Sequence, residues 1–246
     1  MNRARTYLFI LVLLITTSCD KDDVFGCFKG TGKIVKETRN VGDFKGIIMR
    51  DNLDVILIQD NECLVEVEAG KNLQSDIKTI NENGVLEVRN ENGCNWVRSY
   101  DKPMRVYLHV KQLDSIEYRS SGDLITENTL QNDSIKLDIR EGSGSIRLSL
   151  DTQKSRINQH FGTADVTVTG KSNVNFIYNA SYGPVNCENL ETVFTYMNTS
   201  STNDCYVNVS YVLEVIISNA GNIYYRGNPT EIKQVVSGSG QLIRME

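Results

Sequence analysis

Gly122-Asp123-Leu124, Gly144-Ser145-Ile146, Ala164-Asp165-Val166, Val185-Asn186-Cys187, Asn203-Asp204-Cys205, Gly221-Asn222-Ile223 and Gly240-Gln241-Leu242 repeat one pattern: small, polar, apolar. Their third positions follow one another at steps of 22, 20, 21, 18, 18 and 19 residues. Several sit behind turns rich in Gly and Ser, such as Ser120-Ser121, Gly142-Ser143 and Gly238-Ser239. A unit of about 20 residues built from short strands cannot bury its apolar face alone, so neighbouring units must stack into one continuous core. Successive side chains of a strand point to opposite faces. If the third residue points inward, the first does too and must be small, which leaves Asn203 in need of an interior hydrogen-bond partner.

Working outward, Phe44-Lys45-Gly46-Ile47-Ile48-Met49-Arg50 followed by Asp54-Val55 aligns with Leu113-Asp114-Ser115-Ile116-Glu117-Tyr118-Arg119 followed by Asp123-Leu124, at a constant offset of 69. The expected fold is all-β, a right-handed parallel β-helix-like solenoid of short strands. An antiparallel β-sandwich with Gly-rich hairpins is the alternative, because alternation alone does not separate the two. Composition agrees with either: three Pro against 18 Gly in 246 residues is turn-rich strand sequence. A net charge of -5 and the lack of a basic cluster argue against nucleic acid as a partner.

The N-terminus reads as an address. Arg3 and Arg5 precede the apolar run Tyr7–Ile15, too short to span a bilayer. Small residues Thr16, Thr17 and Ser18 then lead to Cys19. The pattern resembles the lipobox of bacterial lipoproteins, with Thr16 where those proteins prefer Leu. It implies a signal peptide over 1–18, acylation of Cys19 and a lipid bilayer as partner, since a multiply acylated thiol anchors stably. The following Asp20-Lys21-Asp22-Asp23 resembles a surface-export signal of outer-membrane lipoproteins, whereas Asp20 alone would keep the domain facing the periplasm. Residues 19–28 are then a lipidated tether and 29–246 a single domain.

Cys27, Cys63, Cys94, Cys187 and Cys205 remain. Cys187 and Cys205 fall in one inward column and are expected as stacked buried thiols, with a bridge between them as the alternative. Cys27 and Cys94 are a candidate disulfide pinning the start of the domain. No CxxC pair, HExxH, GxSxG, Walker A or GxGxxG occurs, and His109 and His160 read as ordinary strand residues. No catalytic residue, metal site or cofactor is assigned. The nearest approach to a polar constellation is Asp165, Arg147 and Glu188, read as exposed charge pairing.

Two outward columns remain. The middle positions Asp123, Ser145, Asp165, Asn186, Asp204, Asn222 and Gln241 interleave charged with neutral groups. The next column runs Ile125, Arg147, Thr167, Glu188, Tyr206, Tyr224, Ile243 and turns aromatic toward its end. Tyr206, Tyr224 and Ile243 are therefore candidate ligand-binding residues.

Gly30-Thr31-Gly32-Lys33-Ile34, Phe44-Lys45-Gly46-Ile47, Val67-Glu68-Ala69-Gly70-Lys71-Asn72-Leu73, Asn83-Gly84-Val85-Leu86-Glu87-Val88, the later Ser-Gly-Ser-Gly turns and Tyr224-Tyr225-Arg226-Gly227-Asn228-Pro229 together resemble the head GIN domain family of autotransporter adhesins. The resemblance covers roughly residues 29–246. It implies a β-helix-like fold and a non-enzymatic, adhesin-like role outside the cytoplasm, with an extracellular glycan or protein as ligand, and it transfers no catalytic residues. A structural envelope lipoprotein acting as a homo-oligomer, and after that a carbohydrate-active enzyme, are the competing expectations.

Overall fold

The computed structural model describes residues 30–93 and 103–246. Cys19, Cys27 and Cys94 lie outside these residues, as do the signal peptide and the whole of the tether. The described strands are β1 (Ile34–Arg39), β2 (Gly46–Asp51), β3 (Asp54–Gln59), β4 (Leu64–Gly70), β5 (Ile77–Glu82), β6 (Val85–Asn90), β7 (Arg105–Val110), β8 (Ser115–Ser120) and β9 (Leu124–Thr126). They continue with β10 (Leu130–Gly142), β11 (Ser145–Gln159), β12 (Asp165–Asn179), β13 (Val185–Thr199), β14 (Cys205–Ile217), β15 (Ile223–Arg226), β16 (Glu231–Val236) and β17 (Leu242–Arg244). All belong to one sheet that curls on itself as a β-solenoid of about six turns.

The central strands are three times the length expected of short rungs, because each runs unbroken around a corner. In β11, Ile146, Leu148, Leu150 and Thr152 are buried, and then Ser155, Ile157 and Gln159. The buried positions change from even to odd at Gln153-Lys154, so alternation restarts in the opposite phase beyond the bend. The same switch follows Ser172 in β12 and Thr192 in β13. One outer face carries the first halves of these strands with β7, β3, β9, β15 and β17. A second carries the second halves with β6, β2, β8 and β16.

The 69-residue offset appears as direct stacking. Gly46 to Asp51 pair with Ser115 to Ser120, and Val55 to Leu57 with Leu124 to Thr126, all in parallel and all 69 apart. The intervening residues supply a further parallel rung, β6 and β7, and then leave the solenoid pattern. β4 runs antiparallel to both β7 and β1, and β5 antiparallel to β6. These antiparallel strands close the N-terminal end.

Leu124, Ile146, Val166, Val185, Cys205, Ile223 and Leu242 pair one after another on a shared interior line. Cys187 does not belong to it. Cys205 faces Val185, and Cys187 faces Val207. The fourth triplet is therefore Gly183-Pro184-Val185, two residues before the expected one. A slip of two keeps every side chain on its own side of the strand, whereas a slip of one would invert them. Cys187 and Cys205 accordingly stay buried and free. Burial, with Cys205 beside it, pushes the Cys187 thiol up to about 12.

The corrected register explains the small first position. A Cβ on Gly144 would stand 2.3 Å from the Gly122 carbonyl oxygen, one on Gly183 2.1 Å from that of Ala164, and one on Gly240 2.1 Å from that of Gly221. The requirement comes first from the backbone of the preceding rung, and at Gly144 and Gly183 also from the Tyr118 hydroxyl and the Gln159 amide. Asn203, expected inward, is exposed, and its amide donates to the Tyr182 carbonyl of the turn one rung back.

Candidate functional site

The middle column is a set of backbone latches. Asp54 Oδ1 accepts the Asp123 N–H at 3.0 Å, Asp123 Oδ1 that of Ser145 at 3.1 Å, Asp204 Oδ1 that of Asn222 at 2.9 Å, and Asn222 Oδ1 that of Gln241 at 3.0 Å. Pro184, which has no N–H to donate, occupies the column opposite Asp165. Asn186 belongs one column over. These oxygens are engaged in holding rungs together, and among the described residues no cluster of three His, Cys, Asp or Glu could hold a metal ion.

The next column reads Ile125, Arg147, Thr167, Asn186, Tyr206, Tyr224, Ile243, with Asn186 in the place expected of Glu188. Tyr206 and Tyr224 are half-buried and lie face to face, with centroids 5.1 Å apart and planes 15° from parallel. Such a pair contributes about 0.5–1.5 kcal/mol beyond its buried area. Burial, helped by Asp204, raises the Tyr206 hydroxyl above its ordinary value. Ile243 lies opposite Tyr224 on β17, so the structure brings all three candidate residues together. Asp165, Arg147 and Glu188 do not converge. Arg147 reaches Asp123 at 3.0 Å, and Glu188 reaches Arg226 at 2.7 Å.

A second aromatic surface went unforeseen. On the other face, Arg156, Phe176, Tyr196 and Glu214 form one outward column, and Asn158, Tyr178, Asn198 and Ile216 form its neighbour. Phe176 and Tyr196 stack at 5.2 Å and 17°. The Arg156 guanidinium caps the stack 4.8 Å from the Phe176 centroid. Between the columns lies a shallow depression of about 200 Å³. Its polar margin includes Asp138, which sits opposite Asn158 and receives its amide at 2.7 Å. The signal was present in sequence: Arg156-Ile157-Asn158, Phe176-Ile177-Tyr178 and Tyr196-Met197-Asn198 recur every 20 residues, in the stretches between the triplets.

Among the described residues no helix is long and apolar enough to cross a membrane. The fold is a β-solenoid whose inner positions form the core and whose outward columns carry the latches and the aromatic stacks. The chain matches, over residues 43–229, the family described as "Putative auto-transporter adhesin, head GIN domain", and it belongs to that family. No curated protein matches it.

Solved structures share the fold. A putative adhesin from Bacteroides fragilis is 18% identical, with 87% of this chain and 97% of that one covered at a TM-score of 0.79. A putative adhesin from Parabacteroides merdae is also 18% identical, covering 88% and 98% at 0.66. A protein from Parabacteroides distasonis described as a putative lipid binding protein is 17% identical, covering 88% and 98% at 0.65.

Proposed function

We propose that the chain is an envelope-anchored, non-enzymatic adhesin-like module, held to the outer membrane through acylated Cys19 and presenting its solenoid to an extracellular glycan or protein. Adhesin-family membership supports the role. The observation that carries the binding reading is the Tyr206–Tyr224 stack continued by Ile243, because amphipathic rings on a rigid sheet supply contact area at little entropic cost.

The test is retention of the full chain on immobilised mucin and extracellular-matrix proteins. Tyr206→Ala with Tyr224→Ala is expected to abolish retention while leaving the melting temperature within a few degrees. Unchanged retention would remove the column from the site, and no retention of the wild type on any matrix would end the binding reading. Anchoring is tested separately. Cys19→Ser is expected to abolish incorporation of labelled palmitate and to release the protein from the membrane fraction.

A second reading, self-association, is favoured by β16. All six of its residues are exposed, including Ile232 at 43% and Val235 at 61%, and among the described residues it pairs with β14 alone. An open, partly apolar edge is a template for another strand. Concentration-dependent sedimentation that Val235→Lys abolishes would support this reading.

A further inference from the structure

We infer that the depression between the Phe176–Tyr196 stack and Tyr178 is a saccharide site, and that the sugar it takes carries an anionic substituent, a carboxylate or a sulfate. The inference rests on the chain being a binding module and names the ligand class and the place.

The lining has the two characters a pyranose needs. The exposed Tyr178 ring, with the edges of Phe176 and Tyr196 whose faces are taken up by the stack, offers apolar surface to the C–H face of a sugar ring. Asn158, Asn198 and the Tyr178 hydroxyl stand where ring hydroxyls would emerge. Parallel strands repeat at ~4.8 Å, comparable with the rise of an extended sugar chain per unit, so successive rungs can meet successive rings. The surface is rigid on both sides. Arg156 and Tyr196 hold Phe176 between them, and Tyr178 leans on His160 at 5.5 Å. Little side-chain entropy remains to be lost on binding.

Charge selects the class. Other cations around the depression already have carboxylate partners: Lys136 and Arg140 share Asp138, and Lys233 meets Glu231. Arg156 and Lys154 are not. Both lie over Phe176, at 4.8 and 5.3 Å from its centroid, and among the described residues neither has a carboxylate within 4.0 Å. A guanidinium seated over a ring with no carboxylate partner has donors available for a planar carboxylate or a sulfate. Glu214 at the opposite end sets a direction, since an anionic group there would be repelled.

The experiment is calorimetric titration of the detergent-solubilised full chain with hexagalacturonate, a carrageenan hexasaccharide that carries sulfate and no carboxylate, and neutral maltohexaose. The two acidic probes separate carboxylate from sulfate. The wild type is expected to bind at least one acidic hexamer, with maltohexaose at least tenfold weaker. Tyr178→Ala, at an exposed ring whose loss spares the core, is expected to weaken binding at least tenfold. Arg156→Gln with Lys154→Gln is expected to erase the preference over maltohexaose and most of the salt dependence. Three results would overturn the inference: no binding of either acidic hexamer by folded protein, equal or tighter binding of maltohexaose, or full binding by the variants. If matrix retention through Tyr206 and Tyr224 survives any of these, the binding module stands and only this site falls.

Discussion

The two ends of the solenoid are finished in different ways. At the N-terminal end the parallel rung of β6 and β7 is covered by antiparallel β1, β4 and β5, and polar side chains close the gaps. Gln74 donates to the carbonyls of Val35 and Val67 at 3.1 and 2.9 Å, and Arg39 donates to the Gln74 carbonyl at 2.7 Å. At the C-terminal end β16 and β17 each pair on one side only among the described residues, and Val236, in line with buried Ile217, is 45% exposed. In a stacked repeat each unit is stabilised by its neighbours alone. The comparison therefore teaches that stability should fall along the chain while the fold stays the same.

The glycine ladder gives the largest expected effect. Gly144→Ala puts a methyl 2.3 Å from the Gly122 carbonyl in the middle of the stack, where rungs on both sides resist separation. A loss above about 4 kcal/mol is expected, in the range reserved for severe backbone conflicts. Gly240→Ala meets the same kind of contact at 2.1 Å, yet only the last rung must part, and less than half that loss is expected. Equal losses in urea unfolding would show that both ends share one cooperative unit.

Next comes side-chain burial. Leu108 of β7 is fully buried in the capped region, and Leu108→Ala should cost about 2–5 kcal/mol. Ile232 of β16 also points along an inward line, opposite buried Leu213, but is 43% exposed. Ile232→Ala should cost under about 1 kcal/mol. Native-state hydrogen exchange sharpens the contrast, with amides of β3 and β7 opening near the global unfolding energy and those of β16 far below it.

How much of this was legible in the sequence varies with the region. The 69-residue offset between Phe44–Val55 and Leu113–Leu124 was readable because both copies keep the same residue classes at the same faces. The fourth triplet was misread because Pro184 breaks the polar middle position, while Val185-Asn186-Cys187 imitates the pattern two residues later. The pairing of Val185 with Val166 and Cys205, and the contact of Gly183 on Ala164, reveal the true register. The antiparallel cap carries no repeat, so residues 34–39 and 64–82 offered no signal for it. The Phe176–Tyr196 stack was missed for another reason: its 20-residue spacing lies in the stretches between triplets, where inward phase has changed at the corner. Tyr206, Tyr224 and Ile243 were found because they follow the triplets directly. The signals around Cys19, Cys27 and Cys94 concern residues outside those described.

Cysteine chemistry separates interior from edge by a smaller effect. Cys187 and Cys205 are buried with raised thiol values, and Cys63 is half-buried. Thiolate is the reactive form. Alkylation of the native protein at pH 8 should label Cys63 while Cys187 and Cys205 stay protected until urea is added, as read by peptide mapping. Rapid native labelling of Cys205 would mean that the rungs near the open end separate readily. The same map shows whether Cys27 and Cys94 are bridged.

A last effect is expected from acid, and it returns to the depression beside Phe176 and Tyr196. Burial works against the Asp138 carboxylate, but Lys136 and the Asn158 amide outweigh it, with Arg140 adding to them, so the group is held below the usual carboxylate range. A carboxyl whose value is depressed by folding contributes stability above its unfolded value, near ~3.9, and loses that contribution as pH falls through the folded one. Asp138→Asn should therefore cost stability at pH 7, by about 1–3 kcal/mol for hydrogen bonds to a charged group. The difference between variant and wild type should close as pH drops below about 4. His160 Nε2 lies 3.8 Å from the same carboxylate. A gap that stays constant to pH 2 would show that Asp138 acts through packing alone. The paired cations at the margin of the depression would then no longer be fixed by a carboxylate charge, and the contrast with unpaired Arg156 and Lys154 would lose its basis.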